Sequence, residues 1–243
     1  MYWLAVLAGF VGGFLGPLTG LGGGTVVVPI LNLSGVAFQA AAAACLFSIV
    51  VTSLTAVANY RRMIDFSLLA RYMALSAVAA GTSAFLSVSY SGQWVKVAYG
   101  VYLISIGFLM LKNVKAAKRL TWAGYLLVLM GGFASSLFGI GGGTIFVPAL
   151  VLLLGLDAKT AAAMSMGLIL PTAATATATY AALGALDLYL AVAIAAGSFA
   201  GSFLSSRYVM PRLRSESVKK LFILYVFAVG SYYLWSGLSL SLP

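Results

Sequence analysis

The sequence predicts an all-α fold, a polytopic helical membrane protein of two inverted repeats. Each repeat would hold a glycine-broken re-entrant helical hairpin and three transmembrane helices. Three observations carry this: long uncharged apolar runs, a duplicated glycine-rich segment, and basic residues gathered in a few loops.

The apolar runs come first. The 243-residue chain is 63% apolar and 7% charged, with a mean hydropathy of +1.08. Soluble domains carry about a quarter charged residues, so this chain cannot make an ordinary water-facing surface. Runs of roughly 20 apolar residues are needed to cross a hydrocarbon core as helix. They recur at 36–60, 72–95, 97–111, 122–156, 160–186, 188–206 and 221–243. The alternating segments of ~10 residues that build an outer-membrane barrel are absent.

Composition also excludes several functions. A single cysteine, Cys45, leaves no paired-thiol relay, and no histidine with only four acidic residues leaves no usual metal cage or cofactor site. No nucleophile–base pair or paired carboxylates occur, so the chain does not read as an enzyme. The net charge of +10 is assigned to loops on the cytoplasmic side of a lipid bilayer, not to nucleic acid. The apolar N-terminus lacks a basic start and belongs to the repeat, so it is read as a retained span and not a signal peptide.

The duplication is the second observation. GGFLGPLTGLGGGTVVVPIL at 12–31 matches GGFASSLFGIGGGTIFVPAL at 131–150 without a gap, with 12 of 20 positions identical. After a one-residue shift, 39–60 aligns with 159–180, and Thr52/Thr172, Thr55/Thr175 and Tyr60/Tyr180 coincide. The repeats are therefore 1–111 and 122–243, joined by a basic cytoplasmic linker at 112–121. Each opens with a glycine-broken segment, 2–35 or 122–155. A segment of about 33 residues would be ~50 Å of helix, too long for one crossing, and the part beyond the glycines covers only ~15 Å.

Loop charge is the third. If each broken segment enters and returns on one side, Arg61, Arg62, Arg71, Lys112, Lys115, Lys118, Arg119, Lys159, Arg207, Arg212, Arg214, Lys219 and Lys220 lie inside. Only Lys96 lies outside. A single crossing would instead put the last cluster outside, so the re-entrant topology is preferred. It places both termini on the periplasmic side of the inner membrane and inverts the halves. Inverted repeats with broken helices are a recurring plan of secondary transporters.

Two sets of residues are candidates for substrate binding. Gly22, Gly23, Gly24 and Thr25, with their copies Gly141, Gly142, Gly143 and Thr144, should break a helix and restart it. Thr25 or Thr144 is then a candidate N-cap. Open backbone at membrane depth is tolerated only inside protein or along a wet cavity, and N–H groups at a helix start favour an anion. The competing reading is close helix packing through small residues, which applies with more force to Gly9, Gly12, Gly13, Gly16 and Gly20. The second set is a hydroxyl and amide stripe. Ser48, Thr52, Thr55 and Asn59 share one helix face, as do Thr172, Thr175 and Thr179 with Ser165 a step behind. A pore wall and interhelical hydrogen bonding both fit this stripe. Pro29 and Pro148 shape the half-helices, and Pro171 has no counterpart at Val51. Asp65, Asp157 and Asp187 fall at helix ends and are read as solvated; Tyr60 and Tyr180 are read as interfacial anchors or gates.

At the repeated GxGGGTxxxPxL the chain resembles the sulfite exporter TauE/SafE family, also called the toluene sulfonate uptake permease family. The resemblance covers length, duplication and the motif opening each half. It implies a membrane carrier of sulfite, sulfonates or related organosulfur anions, with Gly22–Gly24 and Gly141–Gly143 at the signature positions. The expected activity is transport of a small anion by alternating access between the two glycine tips. A channel-like pore for another small anion or a neutral solute is the alternative, and a scaffold without transport a third. The oligomeric state is left open, a homodimer included.

Overall fold

The computed structural model describes residues 2–87, 93–111 and 121–239, all statements below being confined to these. Ten α-helices follow in order: α1 (Tyr2–Thr19), α2 (Gly24–Leu33), α3 (Phe38–Tyr60), α4 (Phe66–Ser87), α5 (Gln93–Leu111), α6 (Thr121–Phe138), α7 (Gly143–Leu154), α8 (Ala158–Ala182), α9 (Leu188–Leu204) and α10 (Ser215–Ser239). A π-turn, Ser205–Val209, and a 3-10 turn, Met210–Arg212, extend α9. No strand occurs among the described residues. Six helices are long and apolar enough to cross a membrane by length and composition.

The two broken segments fall as α1–α2 and α6–α7, with the breaks at the glycines. Three of the apolar runs are shifted in the structure. The second long helix is 66–87 and not 72–95, because Asp65 caps it early: its carboxylate accepts from the N–H groups of Ser67 and Leu68 at 3.0 Å each. The run at 188–206 continues as helical turns to Arg212, and the last helix begins at Ser215 and not 221. Thr121, placed in the linker by sequence, is the first residue of α6. Lys112, Lys115, Lys118 and Arg119, and the side chain of Lys96, lie outside the described residues.

The surface explains the composition. Trp3, Leu54, Val78, Phe85, Tyr189, Phe199, Leu224 and Trp235 are exposed. Contiguous apolar surface of this kind is a liability in water and an ordinary boundary in lipid. Inside, the buried side chains with polar groups among the described residues are hydroxyl-bearing, serines, threonines and tyrosines, and the one thiol of Cys45, with no charged group. A hydroxyl can bond to a backbone carbonyl of its own helix, so it can be buried without a partner ion.

Backbone-to-backbone packing sets the helix pairs. A Cβ on Gly9 would run into the carbonyl of Ile194, and one on Gly13 into that of Ser198; Gly197 meets Val6 in the same way. These contacts advance together along α1 and α9, so the two helices are parallel. The packing reading of Gly9 and Gly13 is thus what the structure adopts. The matching contact in the second half is Gly132 of α6 against Ser76 of α4. Across α5 and α10 the order reverses, Gly107 facing Phe227, Gly100 facing Leu234 and Gly237 facing Val97, so these run antiparallel. Leu69 of α4 abuts Gly167 of α8, and Gly81 abuts Thr175. α4 therefore parallels α8, and α3, which turns back into α4, opposes α8.

Candidate functional site

Each hairpin turns on two successive glycines in the left-handed region, Gly22 (φ 84°) and Gly23 (φ 88°) in one, Gly141 (φ 87°) and Gly142 (φ 76°) in the other. A side chain there costs about 1–2 kcal/mol per residue, which is why the motif holds glycine. Gly23 is also pressed against the Gly12 carbonyl and Gly142 against that of Gly131, so each arm closes on its partner through bare backbone.

The tips meet. A Cβ on Gly24 would fall on the Gly139 carbonyl oxygen and 3.0 Å from Ile140 Cα; one on Gly143 would fall on the Gly20 carbonyl and 2.7 Å from Leu21 Cα. Gly20 in turn lies against Ala162 of α8, and Gly139 against Ala42 of α3. Ser165 donates to the Gly20 carbonyl at 2.7 Å; Cys45 is its counterpart by alignment.

The hydrogen bonds of the tips are incomplete in a specific way. The N–H groups of Gly20 and Leu21 both go to the Gly16 carbonyl, and those of Val26 and Val27 to Gly23. Between them, the N–H groups of Gly22, Gly23, Gly24 and Thr25 meet no acceptor among the described residues, although all four residues are buried. The same holds for Gly141, Gly142, Gly143 and Thr144: Ile140 donates to Ser135, Ile145 and Phe146 to Gly142, and nothing accepts from the four between. Buried N–H groups are nearly always paired, so such a cluster marks a place for a bound group. Successive N–H donors at a helix start favour negative charge.

The threonines of the motif act differently from the capping role expected of them. The residues at the N-cap positions are Gly23 and Gly142, without a side-chain cap. Thr25 shares a hydrogen bond with the Tyr225 hydroxyl, and Thr144 accepts from Tyr99 at 3.3 Å. Tyr102 donates to the backbone carbonyl of Thr144 at 3.2 Å. That carbonyl would ordinarily accept from the residue four positions on, which is Pro148 and has no N–H. Tyr102 supplies the missing donor. These tyrosines are absent from the sequence-based site; the signal for one was the proline four residues after the threonine, which announces an orphan carbonyl.

Tyr60 and Tyr180 are not interfacial anchors: both are buried. Their hydroxyls donate to the carbonyls of Pro17 (3.2 Å) and Ser136 (3.1 Å). Those are the carbonyls bypassed when Leu21 and Ile140 bond one residue further back, so each tyrosine caps the broken end of α1 or α6.

The polar stripe lies beside the tips on α3 and α8, and its burial pattern repeats position by position between 51–60 and 171–180. Ser48 and Thr52 are buried, Thr55 and Asn59 half-buried; Thr172 is buried, Thr175 and Thr179 half-buried. Most of its hydroxyls are turned onto their own helix. Thr52 donates to Ser48 (3.0 Å), Thr55 to Val51 (2.8 Å), Thr175 to Pro171 (2.9 Å) and Thr179 to Thr175 (3.0 Å). Thr172 donates to Ile169 (2.7 Å) and Ser48 to Cys45 (2.8 Å). Asn59 reaches across, to Ser206 Oγ at 2.8 Å, as Ser165 does to the Gly20 carbonyl. In this state the threonines offer oxygen lone pairs and not donors, and the unpaired donors lie at the glycine tips.

The other aspartates also have structural partners. Asp157 caps α8, accepting from Lys159 and Thr160 N–H groups and from Ser215 Oγ. Burial alone would raise its pKa, but these hydrogen bonds outweigh burial and hold the carboxyl below the usual range. Asp187 caps α9 through Leu190. A vestibule of about 300 Å³ opens beside Asp65, lined by Arg71, Tyr72, Tyr125, Thr160 and Met164 among others. Met164 in its wall precedes Ser165, whose hydroxyl holds the Gly20 carbonyl.

A polytopic helical membrane protein with paired broken helices is the class that this fold defines. The profile of the sulfite exporter TauE/SafE family matches residues 5–233. The chain belongs to that family, a family of membrane transporters. Probable membrane transporter protein YunE of Bacillus subtilis (strain 168) is 24% identical over 97% of this chain and 98% of its own length. Probable membrane transporter protein MJ0441 of Methanocaldococcus jannaschii is 31% identical over 68% of this chain and 67% of its own. No solved structure matches.

Proposed function

We propose that the chain moves a small anion, sulfite or an organosulfonate, across the inner membrane by alternating access between the two glycine tips. The observation that carries this is the pair of buried N–H clusters, 22–25 and 141–144, which lack acceptors among the described residues and lie on two tips in contact with each other. Sulfite and sulfonate groups are compact and rich in acceptor oxygens, the geometry that helix-start N–H groups satisfy. The absence of a buried charge among the described residues fits a site that binds through dipoles and lets its ligand leave.

We read the two halves as inverted repeats. Support comes from equivalent helices, α3/α8 and α5/α10, running antiparallel while the same residue contacts recur after exchange of the halves. In this reading both termini are periplasmic, and the vestibule at Arg71 opens on the cytoplasmic side with Lys159 and Arg212. The reading is tested with purified protein in liposomes. Sulfite uptake should be saturable and show counterflow, and should be abolished by bulky replacements at Gly23 or Gly142. Intact uptake in both variants would defeat the site assignment, and single-channel currents without saturation would favour a pore. Labelling that finds 207–220 on the periplasmic face would defeat the topology.

A further inference from the structure

The N–H clusters at the tips are covered by one residue from each half. Ile49 of α3 and Ile169 of α8 are equivalent by alignment, and both are buried. A Cβ position on Gly22 lies 3.3 Å from Ile49 Cγ2 and 3.5 Å from Ile169 Cγ2; that on Gly141 lies 3.1 Å from Ile169 Cγ2 and 3.3 Å from Ile49 Cγ2. Ile49 Cδ1 also reaches within 2.9 Å of the Cβ position of Gly24. Each isoleucine therefore touches both tips. Branched methyl groups fill the space beside both glycine tips, and they offer an anion nothing.

We propose that Ile49 and Ile169 form an occluding gate over the anion site, and that their bulk determines the size of anion admitted. This rests on the transport reading above. The structure is then the closed state of the cycle. The isoleucines sit on the through-helices α3 and α8, not on the hairpins, so a small rotation or slide of either helix relative to the tips uncovers the donors on one side. The β-branch matters because it restricts χ1, so an isoleucine leaves the site with its helix and does not swing aside alone. The neighbouring hydroxyls of Ser48, Thr52 and Thr172 would come to the site as the isoleucines leave it, which gives the polar stripe a part in the open state.

The test uses the full chain in liposomes with two readouts. The first is the native Cys45, buried one turn before Ile49 on α3. Its modification by a small methanethiosulfonate reagent should be at least tenfold faster in the Ile49→Ala/Ile169→Ala double variant than in the unaltered protein. Leu103→Ala, a buried truncation on α5 packed against Gly230 of α10, controls for general loosening and should leave the rate unchanged. The second readout is the ratio of benzenesulfonate to sulfite flux, which should rise at least tenfold in the double variant. Equal labelling in the double variant and the unaltered protein, or equal acceleration by Leu103→Ala, overturns the gate. So does a flux ratio that does not move. Absent sulfite flux in the unaltered protein counts against the transport reading instead, while the Cys45 labelling still decides whether the isoleucines close the site.

Discussion

The contact between the tips can be separated from the backbone strain within them by comparing Gly143→Ala with Gly35→Ala. Gly143 has an ordinary φ, so its alanine is penalised only by the opposing hairpin. The new Cβ would sit 2.1 Å from the Gly20 carbonyl oxygen, while ordinary contact begins at 3.4 Å; by subtraction the tips must part by 1.3 Å. Forcing a packed interior apart costs about 1–3 kcal/mol. Gly35 is the reverse case: φ is +89° and a Cβ meets nothing within 4 Å, so its alanine carries backbone strain alone, about 1–2 kcal/mol. The two variants should lose similar thermal stability in detergent, at about 2–4 °C per kcal/mol for a chain of this size. They should differ in transport. Gly143→Ala displaces four N–H donors and should lower sulfite uptake at least tenfold and abolish thermal stabilisation by sulfite. Gly35→Ala should keep both. Unimpaired uptake in Gly143→Ala, with the stability loss present, would refute the view that the tips form the site.

Tyr102→Phe should destabilise by about 1–3 kcal/mol, since a buried carbonyl loses its donor. In a Pro148→Ala background most of that loss should vanish, because residue 148 then donates to Thr144 itself; additive effects in thermal unfolding would refute the substitution of one donor by the other. Tyr60→Phe and Tyr180→Phe should each cost a similar amount and raise amide exchange at 17–21 and 136–140 respectively; a change in exchange confined to the tyrosine's own helix would refute the capping role. Asp157→Ala should cost about 0.5–2 kcal/mol at neutral pH. The folded carboxyl is held low, so its contribution is complete above its unfolded value and is lost as pH falls through the folded one. The thermal midpoints of the two proteins should therefore converge on acidification below about pH 4, and a constant gap would refute the assignment.

Much of the architecture was legible because it was written twice. The repeat located both breaks at the glycines, and the half-membrane length of α2 and α7 followed from counting. Boundaries of ordinary spans were less legible. Asp65 and Asp157 cap helices, yet they sit beside loop residues with no marked change in hydropathy, so runs read by apolarity alone slid past them. The site was half legible. Gly22, Gly23, Gly141 and Gly142 could be named because their left-handed backbone needs glycine, and Gly24 and Gly143 because they continue the same triplets. The roles of Thr25 and Thr144 depended on partners far along the chain, Tyr225 and the pair Tyr99 and Tyr102. Ile49 and Ile169 carried no signal at all, being apolar residues in apolar helices. Only the crossing of α3 and α8 over the tips gives them a task.

The threonine–tyrosine links join distant parts of the chain. Thr25 is held by a residue 200 positions later, on the last helix of the opposite half. At ribosomal speeds of about 5–20 residues per second, the first half-helix waits roughly 10–40 s for that partner to be made. Until residues 139–143 are made its glycine corner has neither its tyrosine nor the second corner to lean on, and after that it still lacks the tyrosine. Nascent chains arrested before α10 should thus expose a protease-sensitive first hairpin, which only completion of synthesis protects.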